Sequence, residues 1–251
     1  MPTRWIGLLF IFLLVSCRPK FLEITNARSL ENYLAVIEQS NAKVHQIKAQ
    51  ADIRGNGLLG HFFHERADIV AQAPHYFLWS LRSFFESPAS IIASNGKFIS
   101  VYDISNNAQP FHRIPLSENS VVELMDFPFQ PKILLNLLLN KIDLRGAKNL
   151  KLLTNKNIWL VKADLDGDWH VHASFNEDER YFREIAFEQK KHKIKYRVRY
   201  GEMHREQGLS FPTSLMVVAS MNGRSLKFNM RFEQLEINGF DISPDTFLLG
   251  P

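Results

Sequence analysis

Cysteine is nearly absent: the 251 residues contain one, Cys17, so no internal disulfide is possible. Long apolar runs are missing beyond the amino-terminal stretch. No later segment reaches the roughly 20 residues that a membrane-spanning helix needs. Charge of one sign is missing as well. Thirty Lys and Arg against 26 Asp and Glu is too slight an excess to make nucleic acid the partner. No G-x-S-x-G, phosphate-binding glycine loop or second thiol is found, so the sequence argues against an enzyme. Nine histidines are scattered with no second ligand pair at diagnostic spacing. The chain shows no internal repeat and no low-complexity tract.

What is there begins with Trp5–Cys17, WIGLLFIFLLVSC. Arg4 supplies a positive residue ahead of the unbroken apolar run Trp5–Val15, which has the length of a signal-peptide core and is too short for a span. The run ends in Leu14-Val15-Ser16-Cys17, which resembles a bacterial lipobox. That resemblance implies cleavage before Cys17 and lipid attachment to its thiol. The expected organisation is a signal peptide over 1–16, a lipidated tether over 17–25 and one domain over 26–251. Arg18 stands where an Asp would imply retention at the inner membrane, so the resemblance points to the outer membrane.

Asn26 caps an expected helix to about Ala42, with Leu30, Tyr33, Leu34 and Ile37 on one stripe. The period then becomes two. Strands are expected from Val44 with a turn at Arg54-Gly55-Asn56-Gly57, over 59–72, over 75–82, over 89–93 and over 97–104. Pro74 and the hairpin pair Asn95-Gly96 separate some of them. Within 117–140, Ser120 and Glu123 form a capping-box pattern that predicts a helix. Phe127-Pro128-Phe129-Gln130-Pro131 interrupts it and Ile133–Leu139 resumes it, apolar nearly all round. Such a helix is either buried core or a lid over an apolar cavity. Further strands are expected over 150–154, 157–165, 169–175, 181–187, 192–200, 209–220 and 225–237, with a turn at Asp166-Gly167. The apolar register of the last strand flips, which predicts a bulge near Glu233-Gln234. Twenty phenylalanines, many at alternate strand positions, predict a large aromatic interior or an apolar cavity.

The order of lipobox, amphipathic helix, five-strand meander, helical insertion and second strand set resembles the LolA/LolB superfamily of lipoprotein carriers and receptors. Val44–Arg54, Ala67–Leu81 around Pro74, Asn95–Asp103, Asn119–Leu139, Gly208–Leu215 with Pro212, and Ser225–Asn238 carry the resemblance. It implies a mainly β (α+β) fold: a curved, incompletely closed antiparallel half-barrel covered by helices. The implied function is non-catalytic: acyl chains of lipoproteins enter an apolar cavity and the cargo is inserted in the outer membrane. The lipobox favours an anchored, LolB-like receptor on the periplasmic face. Implied partners are lipoprotein acyl chains or other lipids, the membrane and a soluble LolA-like carrier, with no cofactor. A carrier or sensor of another amphiphile and a structural envelope lipoprotein are the alternatives.

Several residues follow as candidates. Cys17 is the lipidation site. Trp79, Leu81, Leu134, Leu138, Trp169 and Phe228 are expected to line the cavity. Phe84 and Phe85, in Ser83–Pro88, are expected either in a loop that inserts into the membrane, a Phe pair where LolB-like receptors project one large apolar side chain, or with one capping the barrel end and the other incidental. Lys193, Lys195, Arg197 and Arg199 form a basic row, read either as a solvated face with a protected sheet edge or as a contact for anionic headgroups or an acidic carrier. His170 and His172 share a strand face but lack a diagnostic third metal ligand. Asp164, Asp166 and Asp168 fit a charged hairpin better than a calcium loop, because the sixth-place glycine is missing and Phe175 stands in place of the bidentate Glu.

Overall fold

The computed structural model describes residues 21–57, 60–82, 88–103, 110–117, 122–124, 127–166, 168–206 and 208–249. Helix α1 (Ala27–Lys43) starts where the Asn26 side chain accepts a hydrogen bond from the Ser29 N–H at 3.2 Å. Its apolar stripe buries Ile37 completely and lays Leu30, Tyr33 and Val36 against the core. Tyr33 meets Trp159 edge-on, with ring centroids 4.4 Å apart.

Six strands follow as an antiparallel meander: β2 (Gln46–Asn56), β3 (Phe62–Gln72), β4 (Tyr76–Arg82), β5 (Pro88–Asn95), β6 (Phe98–Asp103) and β7 (Phe111–Pro115). The alternation is as read, with Ile47, Ala49, Ala51 and Ile53 inward on β2 and Phe77, Trp79 and Leu81 inward on β4. Asn95-Gly96 makes the β5–β6 hairpin, with Gly96 at φ +81°. The sequence pattern showed five strands here. β7 was missed because its inward alternation is weak and only two of its five residues are even partly buried. Arg54–Gly57 is not the turn. β2 runs on to Asn56, and the turn is closed by the Gly57 N–H donating to the His61 carbonyl at 2.9 Å. Gly55 is a glycine for another reason: a Cβ there would lie 2.2 Å from the Lys227 carbonyl of the neighbouring strand.

The region 117–140 differs from its reading in one half. Ser120 lies outside the described residues, but β8 (Val122–Leu124) and β9 (Phe127–Phe129) form a small hairpin where the capping box predicted a helix. The backbone groups of 122–124 find partners across the hairpin, and a local helix would forgo them. Helix α2 (Pro131–Leu138) then forms as expected, with Pro131 at the first helical position, where a missing N–H costs nothing.

The second strand set is β10 (Lys148–Asn155), β11 (Ile158–Leu165), β12 (Trp169–Asn176), β13 (Tyr181–Gln189), β14 (Ile194–Tyr200), β15 (Met203–Glu206), β16 (Leu209–Pro212), β17 (Ser214–Met221) and β18 (Arg224–Ile237). The expected strand 209–220 is broken at Thr213, since Pro212 has no N–H to continue a ladder. Its first part pairs instead with β15 in a separate two-stranded sheet. The β18 bulge lies between Phe232 and Gln234, as the register flip predicted. Within the stretch read as a tether, β1 (Leu22–Glu23) pairs with Leu153 and Thr154 of β10.

Fourteen strands make one antiparallel sheet in the order β1-β10-β11-β12-β13-β14-β17-β18-β2-β3-β4-β5-β6-β7. Its end strands β1 and β7 do not pair with each other. The result is a curved half-barrel, open along one side, with α1 and α2 packed on its inner face. One aromatic core joins both strand sets and both helices.

A groove along the buried helix

Helix α2 is buried on most of its surface. Pro131, Ile133, Leu134, Leu135, Leu137 and Leu138 are all buried, leaving Lys132 and Asn136 towards solvent. Of the two readings of this run, the helix is packed core in this structure. Polar ties from the second strand set hold it. The Tyr200 hydroxyl donates to the Leu137 carbonyl at 2.8 Å, in a fully buried bond. Asn140, at φ +54°, exchanges two 2.9 Å hydrogen bonds with the Phe182 backbone. Asn41 of α1 donates to the Ile142 carbonyl at 2.8 Å. The Tyr196 hydroxyl donates to the Pro128 carbonyl at 2.9 Å, and its ring stacks on Phe129 and Trp169. Burial raises the phenol of Tyr200 well above the ordinary tyrosine value, so it remains a donor.

Three cavities follow α2. One of about 240 Å³ lies against the β3–β4 turn and Gly96. One of about 540 Å³ lies between α1, α2 and the segment Lys141–Arg145. One of about 110 Å³ lies between α2, Leu165 and Trp169. Neighbouring cavities share walls: Pro74, His75, Lys132 and Leu135 between the first two, and Lys132, Asn136, Asp143 and Arg145 between the last two. Together they form one groove, lined by apolar residues such as Leu34, Ile37, Phe77 and Ile142, and Lys132 touches all three parts. Two of its carboxylates, Asp143 and Glu38, face Arg145. Asp143 accepts from Arg145 at 2.9 Å, and that bond, outweighing burial, holds its carboxyl below the usual range, with Lys132 adding to the effect. Glu38 faces Arg145 electrostatically. Lys141 has no such partner, and burial pulls its ammonium down to about 8.

Trp79, Leu81, Leu134, Leu138, Trp169 and Phe228, expected to line a cavity, all belong to a single packed core. Trp169 reaches the groove at the smallest cavity. The Trp79 indole N–H is buried and has no hydrogen-bond partner among the described residues. Cys17 and the pair Phe84 and Phe85 lie outside the described residues. Lys193 is not on the strand with the rest of the basic row but in the β13–β14 turn, at φ +51°. Lys195, Arg197 and Arg199 do point outward together. Lys195 pairs with Glu188 at 3.0 Å, and Arg197 and Arg199 pair with Glu184 at 3.7 and 2.6 Å. β14 lies between β13 and β17, so the row protects no sheet edge. His170 is bonded to Asp164 at 2.5 Å and His172 points to solvent. Among the described residues no three His, Cys, Asp or Glu side chains are grouped to hold a metal ion. The groove cations Lys132, Lys141 and Arg145 were missed. The available signal was a lysine at each end of the apolar run Ile133–Leu139.

No protein-family model and no curated protein matches the sequence. Solved structures do match the fold. A LolA superfamily protein from Nitrosomonas europaea superposes with a TM-score of 0.58 at 12% identity, covering 86% of this chain and 97% of that one. An outer membrane lipoprotein-sorting protein domain from Vibrio parahaemolyticus gives 0.60 at 6% identity, over 84% and 94%. A DUF1329 family protein from Desulfovibrio piger gives 0.59 at 11% identity, over 89% and 98%. The chain shares its fold with these structures, one of them a LolA superfamily protein. The similarity runs through nearly all of each neighbour.

Proposed function

We propose that the protein is a lipid-anchored, non-catalytic binding protein. It takes acyl chains into the groove along α2 and helps insert lipoproteins in the outer membrane. The observation that carries this reading is the groove itself, whose walls mix apolar residues with charged ones along a buried helix that hydrogen bonds also tie to the sheet. The LolA-type fold and the lipoprotein-sorting neighbour from Vibrio parahaemolyticus support it.

Affinity alone drives such a transfer. Burying one methylene is worth about 0.8 kcal/mol, whereas one intramolecular hydrogen bond contributes about 0.5–1.5 kcal/mol net. A chain of several methylenes offsets the loss of the ties from Tyr200 and Asn140, and a longer chain is needed to offset as well the burial that Ile133, Leu134, Leu135, Leu137 and Leu138 give up. The chain replaces α2 side chains against Trp79, Leu81, Trp169 and Phe228, so these core residues become the lining in the loaded state. Release needs the reverse, with α2 returning as the acyl chain enters a bilayer.

In this scheme Cys17 carries the anchor on the periplasmic face and a soluble LolA-like carrier supplies the cargo. Phe84 and Phe85 enter the membrane at the loop joining β4 to β5. The register pair Arg66–Arg82 puts the end of β4 at the same end of the sheet as Phe62, which is 71% exposed. A second reading, carriage of a different amphiphile in the same groove, is favoured by the unpaired Lys141. The test is saturable binding of a fluorescent fatty acid, together with mass spectrometry of lipid that co-purifies with the chain. Absence of saturable binding and of any co-purified lipid overturns the proposal.

A further inference from the structure

The charged groups facing the widest part of the groove come from every element around it. Glu38 is on α1, Lys132 on α2, His75 in the β3–β4 turn, and Lys141, Asp143 and Arg145 follow α2. The two carboxylates are matched: Asp143 is bonded to Arg145 and drawn to Lys132, and Glu38 acts on Arg145. Lys141 is left over. Among the described residues it has no ion pair and no side-chain hydrogen bond, and burial alone lowers its titration. Its backbone is fixed by donation to the Asn136 carbonyl at 2.8 Å, so the side chain starts from a set position at the end of α2.

A partly buried ammonium with no counter-charge is unfavourable in the empty protein. A methionine would fill the same wall without that cost. The charge has a use only if something anionic arrives with the ligand. We propose that the groove takes an amphiphile with a carboxylate or phosphate headgroup, and that Lys141 binds that headgroup while the tail lies along α2. This rests on the groove being an acyl-chain site and deepens the second reading of it, carriage of an amphiphile other than a lipoprotein. A diacylglyceryl cysteine whose amine is acylated carries no such charge, whereas a fatty acid or an acidic phospholipid does.

The experiment uses the full chain with a dansyl-labelled undecanoic acid and its methyl ester. The native protein is expected to bind the acid about tenfold more tightly than the ester, in line with a hydrogen bond to a charged group. Lys141→Met removes that preference and leaves the ester unchanged, and Lys141→Arg restores it. Raising the pH from 7 to beyond the Lys141 value of about 8 weakens acid binding in the native chain but not in Lys141→Met. Inorganic phosphate does not displace the acid, and full displacement would replace the amphiphile with a free-anion site. Equal loss of acid and ester in Lys141→Met, or no loss of either, overturns the assignment. Failure of both probes to bind the native chain overturns the groove reading itself, and this proposal with it.

Discussion

The Tyr200 hydroxyl and the Leu137 carbonyl are 2.8 Å apart, in a buried hydrogen bond between β14 and the last turn of α2. A helix carbonyl at that position lacks a regular intrahelical partner, and the Asn140 N–H reaches it only at 3.3 Å. The tyrosine therefore ties the sheet to the helix that fills it.

Tyr200→Phe keeps the ring and removes the tie. It is expected to lower stability by about 1 kcal/mol, the low end for a buried acceptor losing a partner. Uptake of a fluorescent fatty acid is expected to become faster, because α2 leaves its seat more readily. Urea unfolding and stopped-flow binding measure the two effects. A stable variant with unchanged uptake would show that α2 does not control entry.

Leu135 is 2% exposed and lines two of the three cavities. Leu135→Ala is expected to cost about 2–5 kcal/mol, the usual range for a leucine truncated in a core. The enlarged groove should also shift the preferred chain length upward. A fatty-acid length series on native and variant chains checks this, and identical preferences would place the ligand elsewhere.

Lys141 makes a prediction about stability against pH. Its folded value, about 8, lies below the ordinary 10.5, so between those values the unfolded chain binds more protons than the folded one. Stability contributed at this site therefore rises with pH through that window. Lys141→Met is expected to be more stable than the native chain at pH 7, with the difference shrinking towards pH 10. Urea midpoints for both chains at the two pH values test the sign.

Cys17→Ser is expected to abolish incorporation of radioactive fatty acid. Persistent labelling would place the lipid on another residue. The same change should free the chain from membranes, since stable anchoring needs two or more acyl chains.

Phe84→Glu combined with Phe85→Glu is expected to leave folding and fatty-acid binding intact and to block delivery of lipoprotein into membranes. Each phenylalanine gains about 1.5–3 kcal/mol on burial in a bilayer. An unfolded variant would assign the pair to the core, and unimpaired delivery would remove the loop from the mechanism.

The sequence by itself determined the local periods. Alternation on β2, β4, β12 and β14 was legible because one face of each strand is buried and a one-residue slip would turn every side chain the wrong way. Asn26, Asn95-Gly96 and the flip before Gln234 were legible because a helix cap, a tight hairpin and a bulge each demand particular residues over a few positions. The burial of α2 was foreshadowed by a run apolar on every side. Only the tertiary structure decided what depends on distant partners. The ladder from β18 to β2, which unites the two strand sets, forms between residues far apart in the chain, and Gly55 makes sense only against Lys227 of that ladder. The pairing of Val122–Leu124 with Phe127–Phe129 overrode a capping box. The groove could not be read along the chain at all. It is a gap between α1, α2 and the Lys141–Arg145 segment, and Lys141 is left without a carboxylate only because the fold sets Asp143 and Glu38 against Arg145.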